Sequence, residues 1–173
     1  MLKSRRMAII AVFTALSLAM FMLESLLPIP FIIPGAKLGL ANIITVVSLY
    51  LLNDESDVLL IVLARTSLAS TFGGGSAALI YSLSGGLLSL AVMYGVKRTQ
   101  FFSVFGVSVA GGFFHNLGQI VAAVWVTKTM SLWHYFPLLA LCGIMTGLLI
   151  GKISFEILLR LQKNAASIPF ISR

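Results

Sequence analysis

MAIIAVFTALSLAMFMLESLL, residues 7–27, is the stretch that decides the fold. It holds one ionisable side chain, Glu24, in 21 residues. Wound as a helix at 1.5 Å per residue, a run of this length reaches across the roughly 30 Å hydrocarbon core of a bilayer. Lys3, Arg5 and Arg6 precede it, and Pro28, Pro30 and Pro34 follow. The prolines deny backbone donors and disfavour helix in the residues before them, so they stop it. A basic start before an apolar run resembles a secretory signal. The run is longer than the apolar part of such signals, and no small-residue cleavage site precedes the prolines, so it reads as a retained first helix.

Outward from this run the rest of the chain repeats the pattern. Of 173 residues 59% are apolar and 10% charged, whereas a soluble domain of this size needs about a quarter charged residues to clothe its surface. The breaks predict an all-α integral membrane protein of six helices in a single domain, over about 7–27, 36–52, 58–72, 76–96, 101–126 and 132–161. The polar stretch Asn53–Asp57 ends the second helix and Gly73-Gly74-Gly75 breaks the third. Lys97–Gln100 stops the fourth, and Thr127–Ser131 forms the turn before the sixth. With the N-terminus inside, Lys3, Arg5, Arg6, Lys97, Arg98, Lys152, Arg160, Lys163 and Arg173 face the cytoplasm, against Lys128 outside. This excess predicts that both termini are cytoplasmic in a multi-pass cell-membrane protein, with Trp125, Trp133 and Tyr135 at the outer interface. Basic residues placed at the ends of apolar runs form no continuous face, so the net charge of +7 does not point to nucleic acid. Cys142 is the one cysteine, which excludes an intrachain disulfide and a thiolate cluster.

Polar groups at membrane depth cost a few kcal/mol each and are functional candidates by default. Lys37 opens the second helix and either snorkels to the outer headgroups or faces a ligand. Arg65 falls mid-way along the third helix; its guanidinium cannot shed its charge and must find acceptors or water, which points to a cavity. His115 and Gln119 lie one turn apart on the fifth helix, with Asn116 adjacent and Gly111 and Gly118 alongside. His115 either contacts a ligand or is satisfied by a neighbouring helix. Ala78, Ser82, Gly85 and Ser89 make a small, weakly polar stripe on the fourth helix. Together these side chains suit a polar cavity open to the outside, its cationic excess fitting an anionic ligand. Glu24 reads as an interfacial residue or as a partner for one of the cations. Ala8, Ala11, Ala15 and Ala19 recur at steps of three and four, the spacing that lets another helix approach closely, within the bundle or on a partner. Gly143, Gly147 and Gly151 on the sixth helix have the same spacing and are expected to pack internally.

Several chemistries lack their residues. There is no Gly-rich phosphate loop ending in Lys-Ser/Thr for ATP hydrolysis. The five carboxylates are Glu24, Asp54, Glu55, Asp57 and Glu156; they form no pair of Asp-rich motifs to hold magnesium on a diphosphate. No Ser/His/Asp set or histidine cluster appears. The chain is expected to be neither an enzyme nor a holder of a metal or cofactor.

The segment Pro34-Gly35-Ala36-Lys37-Leu38-Gly39-Leu40-Ala41-Asn42-Ile43, the stretch around Arg65, Phe72-Gly73-Gly74-Gly75 and His115-Asn116-Leu117-Gly118-Gln119 together resemble the Gx transporter family. That family is often labelled heptaprenyl diphosphate synthase component I, and it is similar to the substrate-binding S components of energy-coupling factor (ECF) transporters. The resemblance runs from about Arg6 to Leu161. It implies a six-helix subunit that captures a micronutrient from outside and docks on a coupling transmembrane subunit carrying two ATPases. It further implies a candidate substrate-binding set of Lys37, Asn42, Arg65, Ser82, His115, Asn116 and Gln119. Ala11, Ala15 and Ala19 become the docking stripe, Pro28–Pro34 a cap over the ligand, and Gly73–Gly75 a loop moving with it. An isoprenoid- or quinone-related or other anionic precursor is the expected ligand.

Two further readings stand beside the importer. One is an accessory membrane subunit of a soluble prenyl-diphosphate synthase. The other is a stand-alone proton-coupled carrier using His115 and Glu24, although the two halves show no convincing internal repeat of the kind carriers carry.

Overall fold

The structure, a computed structural model, describes residues 2–26, 39–52 and 54–165. Among these residues the chain is helical throughout, with no strand. The elements are α1 (Leu2–Leu26), α2 (Leu40–Leu51), α3 (Glu55–Ala69), a π-helical turn (Ser70–Gly74), α4 (Gly75–Arg98), α5 (Val104–Thr127), a 3-10 turn (Met130–Tyr135) and α6 (Phe136–Ala165). Four helices are long and apolar enough to cross a membrane: those spanning Lys3–Leu26, Leu79–Arg98, Val104–Thr127 and Met130–Lys163. The chain is a helical membrane protein. At 12 and 15 residues, α2 and α3 fall short of a full span by length.

The helix ends correct the expected boundaries, each for a local reason. α1 begins at Leu2 rather than residue 7, because Arg6 is held from its second turn. Its guanidinium donates to Asp57 Oδ1 at 2.8 Å and to Asp54 Oδ2 at 2.7 Å. α2 starts at Leu40 rather than 36, because Gly39 has φ +76°, a left-handed backbone that cannot sit inside a right-handed helix and that glycine adopts without strain. α3 starts at Glu55 rather than 58. Asp54 accepts the Ser56 N–H at 3.0 Å as its N-cap, and Glu55 and Asp57 lie in its first turn, where carboxylates meet the positive end of the helix. The polar stretch after α2 is therefore the beginning of a helix. α5 starts at Val104 and leaves Phe101 and Phe102 exposed before it. α6 starts at Phe136, with Pro137 in the first turn where its missing N–H is not needed.

At Gly73–Gly75 the break is a reversal wound in helical geometry. Val62 lies against Gly86, 24 residues away, so α3 and α4 run antiparallel on either side of the π-helical turn. α4, α5 and α6 form an antiparallel sheaf joined at small residues. Ser89 donates to the Gly111 carbonyl at 2.9 Å, and Ser108 to that of Gly147 at 2.8 Å. A Cβ on Gly112 would overlap the carbonyl oxygen of Gly143, and one on Gly151 would touch Phe105. The glycine stripe of α6 is an internal packing seam, which suits a medium where apolar side chains gain little by leaving lipid and close contact supplies the attraction.

The apolar core gathers Val46, Val47, Leu49, Val58, Val62, Leu90, Met93, Val107 and Leu158. It sits towards the end where Arg6 meets Asp57 and where Lys97 Nζ donates to the Leu49 carbonyl at 2.5 Å. The other half of the bundle holds the polar residues.

Candidate functional site

α1 turns Ile10, Thr14, Ser17 and Glu24 inward, a stripe at steps of three and four, and leaves Ala8, Ala11, Ala15 and Ala19 exposed. Ser17 donates to the Ala41 carbonyl at 3.2 Å. Glu24 is buried, 7% exposed. Its Oε1 accepts the Gly39 N–H at 2.7 Å and its Oε2 the Leu40 N–H at 3.0 Å. These are donors that a helix start leaves without partners, and a carboxylate there also meets the positive end of the α2 dipole. α1 thus caps α2 through space, and the cap directs Asn42, one turn on, towards the interior.

α3 buries Val58, Ile61, Val62, Arg65, Thr66 and Ala69 along one face and exposes Leu59, Leu60 and Leu68 on the other. Arg65 belongs to the buried face by register alone. It is 6% exposed, and its Nε has no hydrogen-bond partner among the described residues. An ion held out of water without a contact partner costs several kcal/mol even after relaxation. Glu24 acts on it as an opposite charge, yet no ion pair within contact distance joins them; both Glu24 oxygens accept at the start of α2.

α5 contributes His115, Asn116 and Gln119. Asn116 Nδ2 donates to the Leu139 carbonyl of α6 at 2.6 Å, which fixes the amide between the two helices. A Cβ on Gly85 would collide with Gln119 Cγ and the His115 carbonyl, both at 2.8 Å. The missing side chain at that position is what lets α4 bring Ser82 up to the same place.

These residues converge on one cavity between α1–α3 and α4–α6, lined by Phe21, Glu24, Gly39, Ala41, Asn42, Arg65, Ser82, Gly112, His115, Asn116, Gln119, Thr146 and Ile150. Every helix of the bundle supplies at least one of them. Of the seven side chains singled out in the sequence, Asn42, Arg65, Ser82, His115, Asn116 and Gln119 line it. Lys37 lies outside the described residues, as do the prolines 28–34 expected to cap a ligand. The cavity measures about 50 Å³, space for a few waters or an equally small group. A larger occupant requires the two halves to part. Chemically the lining offers one fixed positive charge, a carboxylate already spoken for, and a set of amide, hydroxyl and imidazole groups. No cluster of metal-ligating side chains forms among the described residues.

Sequence reasoning missed Phe21, Gly39, Ala41, Gly112, Thr146 and Ile150, and it offered Glu24 as a partner for one of the cations, the part it plays towards Arg65, without foreseeing that it caps α2. A signal existed for two of them. Glu24 continues the polar stripe of Thr14 and Ser17, and Thr146 lies one turn from Gly143 on the packing seam. At the opposite end Asp54, Ser56 and Asp57 clasp Arg6, and the Ser56 hydroxyl and N–H hold the Asp54 carboxyl below its usual range.

A family model described as heptaprenyl diphosphate synthase component I matches residues 13–157, a span that takes in every residue lining the cavity. No curated protein and no solved structure matches the chain.

Proposed function

The chain belongs to the heptaprenyl diphosphate synthase component I family, and we propose that it is the substrate-binding membrane subunit of an ATP-driven micronutrient importer. The observation that carries this reading is the shared cavity: polar side chains from all six helices meet at one buried point around a charged group. Polar residues kept inside an apolar bundle are expensive, and a ligand site is the ordinary reason to keep them. On this reading all six helices cross the bacterial plasma membrane, the short α2 and α3 being sheltered by the others. The termini are cytoplasmic, the cavity opens outward, and Asn42, Arg65, Ser82, His115, Asn116 and Gln119, with Lys37, contact the ligand. The exposed Ala11, Ala15 and Ala19 form the docking stripe for a coupling transmembrane subunit, which carries two ATPases. No catalytic step is assigned to this chain.

The family description itself favours a second reading, an accessory membrane subunit of a prenyl-diphosphate synthase. Purification in mild detergent from the native host followed by native mass spectrometry separates the two. Co-purified coupling and ATPase subunits support the importer; a soluble prenyl synthase in their place overturns it.

A further inference from the structure

Arg65 is a buried cation without a contact counter-charge. Among the described residues no carboxylate reaches ion-pair distance of it, and its Nε has no partner. The carboxylate that shares its cavity, Glu24, has both oxygens committed to the Gly39 and Leu40 N–H groups. A guanidinium stays charged at any physiological pH. Burying it in this way is sustained when the compensating charge arrives with something that enters the cavity.

We propose that the cavity recognises its ligand through a singly charged oxyanion, a carboxylate, with Arg65 as the counter-ion. The proposal rests on the binding-subunit reading and narrows it to a ligand class. Arg65 faces the cavity and presents planar, forked donors that match a carboxylate. Among the described residues the charged side chains lining the cavity, apart from His115, are Arg65 and Glu24, too little positive charge at that point for a diphosphate. Arg65 answers one negative charge on a ligand, and Glu24, in the same cavity, repels a second. Asn42, Gln119 and Thr146 leave hydrogen-bonding groups for the remainder of the ligand, with Phe21 and Ile150 as its apolar flank.

The test uses the full chain purified from its host in mild detergent, as wild type, Arg65→Gln and Arg65→Lys. Molecules released on denaturation are identified by mass spectrometry in both ion modes. Thermal unfolding is followed with acetate or inorganic pyrophosphate at constant ionic strength. A released carboxylic acid, lost from Arg65→Gln, is expected; re-addition should show binding weakened by about 100-fold and partly recovered in Arg65→Lys. Acetate, but not pyrophosphate, should raise the unfolding temperature of wild type and leave Arg65→Gln unmoved. Emptied Arg65→Gln should unfold at or above emptied wild type, because an uncompensated charge has been removed; a purely structural arginine would give the reverse. A neutral, cationic or diphosphate ligand overturns the proposal, as does a carboxylate that Arg65→Gln still retains. An empty protein indifferent to acetate also overturns it. The importer reading is read separately, in the co-purified subunits. Coupling-factor partners with a neutral ligand overturn the carboxylate alone, and a bound carboxylate without those partners overturns the importer alone.

Discussion

Glu24 serves two places at once. Its carboxylate closes the start of α2 with two hydrogen bonds from another helix, and its charge lies in the same cavity as Arg65. Hydrogen bonds to a charged acceptor contribute about 1.5–3 kcal/mol each, and leaving a buried N–H without a partner forfeits more than the bond. Glu24→Ala is therefore expected to lower unfolding stability in detergent by about 3 kcal/mol, with Glu24→Gln, which keeps one acceptor oxygen, losing roughly half of that. Equal losses for the two variants would show that the charge, not the cap, matters. Asp54 gives a residue-scale pH prediction. Ser56 lowers its folded pKa, so its contribution is present at neutral pH and lost as pH falls through the lowered folded value, below the ordinary carboxylate range. The difference in melting temperature between wild type and Asp54→Asn should be seen at pH 7 and vanish in acid. A difference unchanged by pH would remove the ionised carboxylate from the account.

At the scale of the elements, glycines divide into those that set helix spacing and those that do not. Gly112 lies against the Gly143 backbone, and a Cβ there has no room. Gly112→Ala forces α5 and α6 apart and is expected to cost about 2 kcal/mol or more, together with lost ligand binding, because His115 and Asn116 ride on the same helix. Gly95 in α4 is exposed, and a methyl group added there would meet nothing within 4 Å. Gly95→Ala should raise stability by about 0.5–1 kcal/mol through helix propensity alone. The pair is read in one thermal-unfolding experiment, and opposite signs are the expected result. Equal, small effects would mean that the α5–α6 seam yields easily.

The whole molecule has two unlike ends. Arg6, the start of α3, Lys97 and the later turns of α6 gather at one, through the Arg6–Asp57 and Lys97–Leu49 contacts and the packing of Gly151 on Phe105. Exposed Trp125, Trp133 and Tyr135 mark the other, in keeping with rings that prefer a membrane interface. This geometry places the start of α1 and the later half of α6 at the same end, the end that the proposed orientation puts in the cytoplasm. In a Cys142→Ser background, Ser131→Cys in intact cells should react with a membrane-impermeant maleimide, whereas Thr99→Cys should react only after permeabilisation. The opposite labelling would invert the orientation and, with it, the side from which a ligand enters.

Apolar runs, proline stops and the placement of Lys and Arg are local properties, so the sequence alone determined the helical membrane class and the residues too polar to be mere lining. Arg65, His115 and Gln119 were legible because a polar group inside an apolar run stands out without any knowledge of its neighbours. Helix starts were less legible. The left-handed Gly39 and the capping by Asp54 depend on backbone geometry, and Asp54–Asp57 reads as a loop unless Arg6 is known to hold it. Tertiary structure alone decided that Glu24 caps α2, that Gly112 and Gly143 set the spacing of α5 and α6, and that side chains from six helices share one cavity. The first two depend on contacts between residues 15 and 31 positions apart, the cavity joins residues as distant in sequence as Phe21 and Ile150, and periodicity along one helix carries no information about which other helix it will meet.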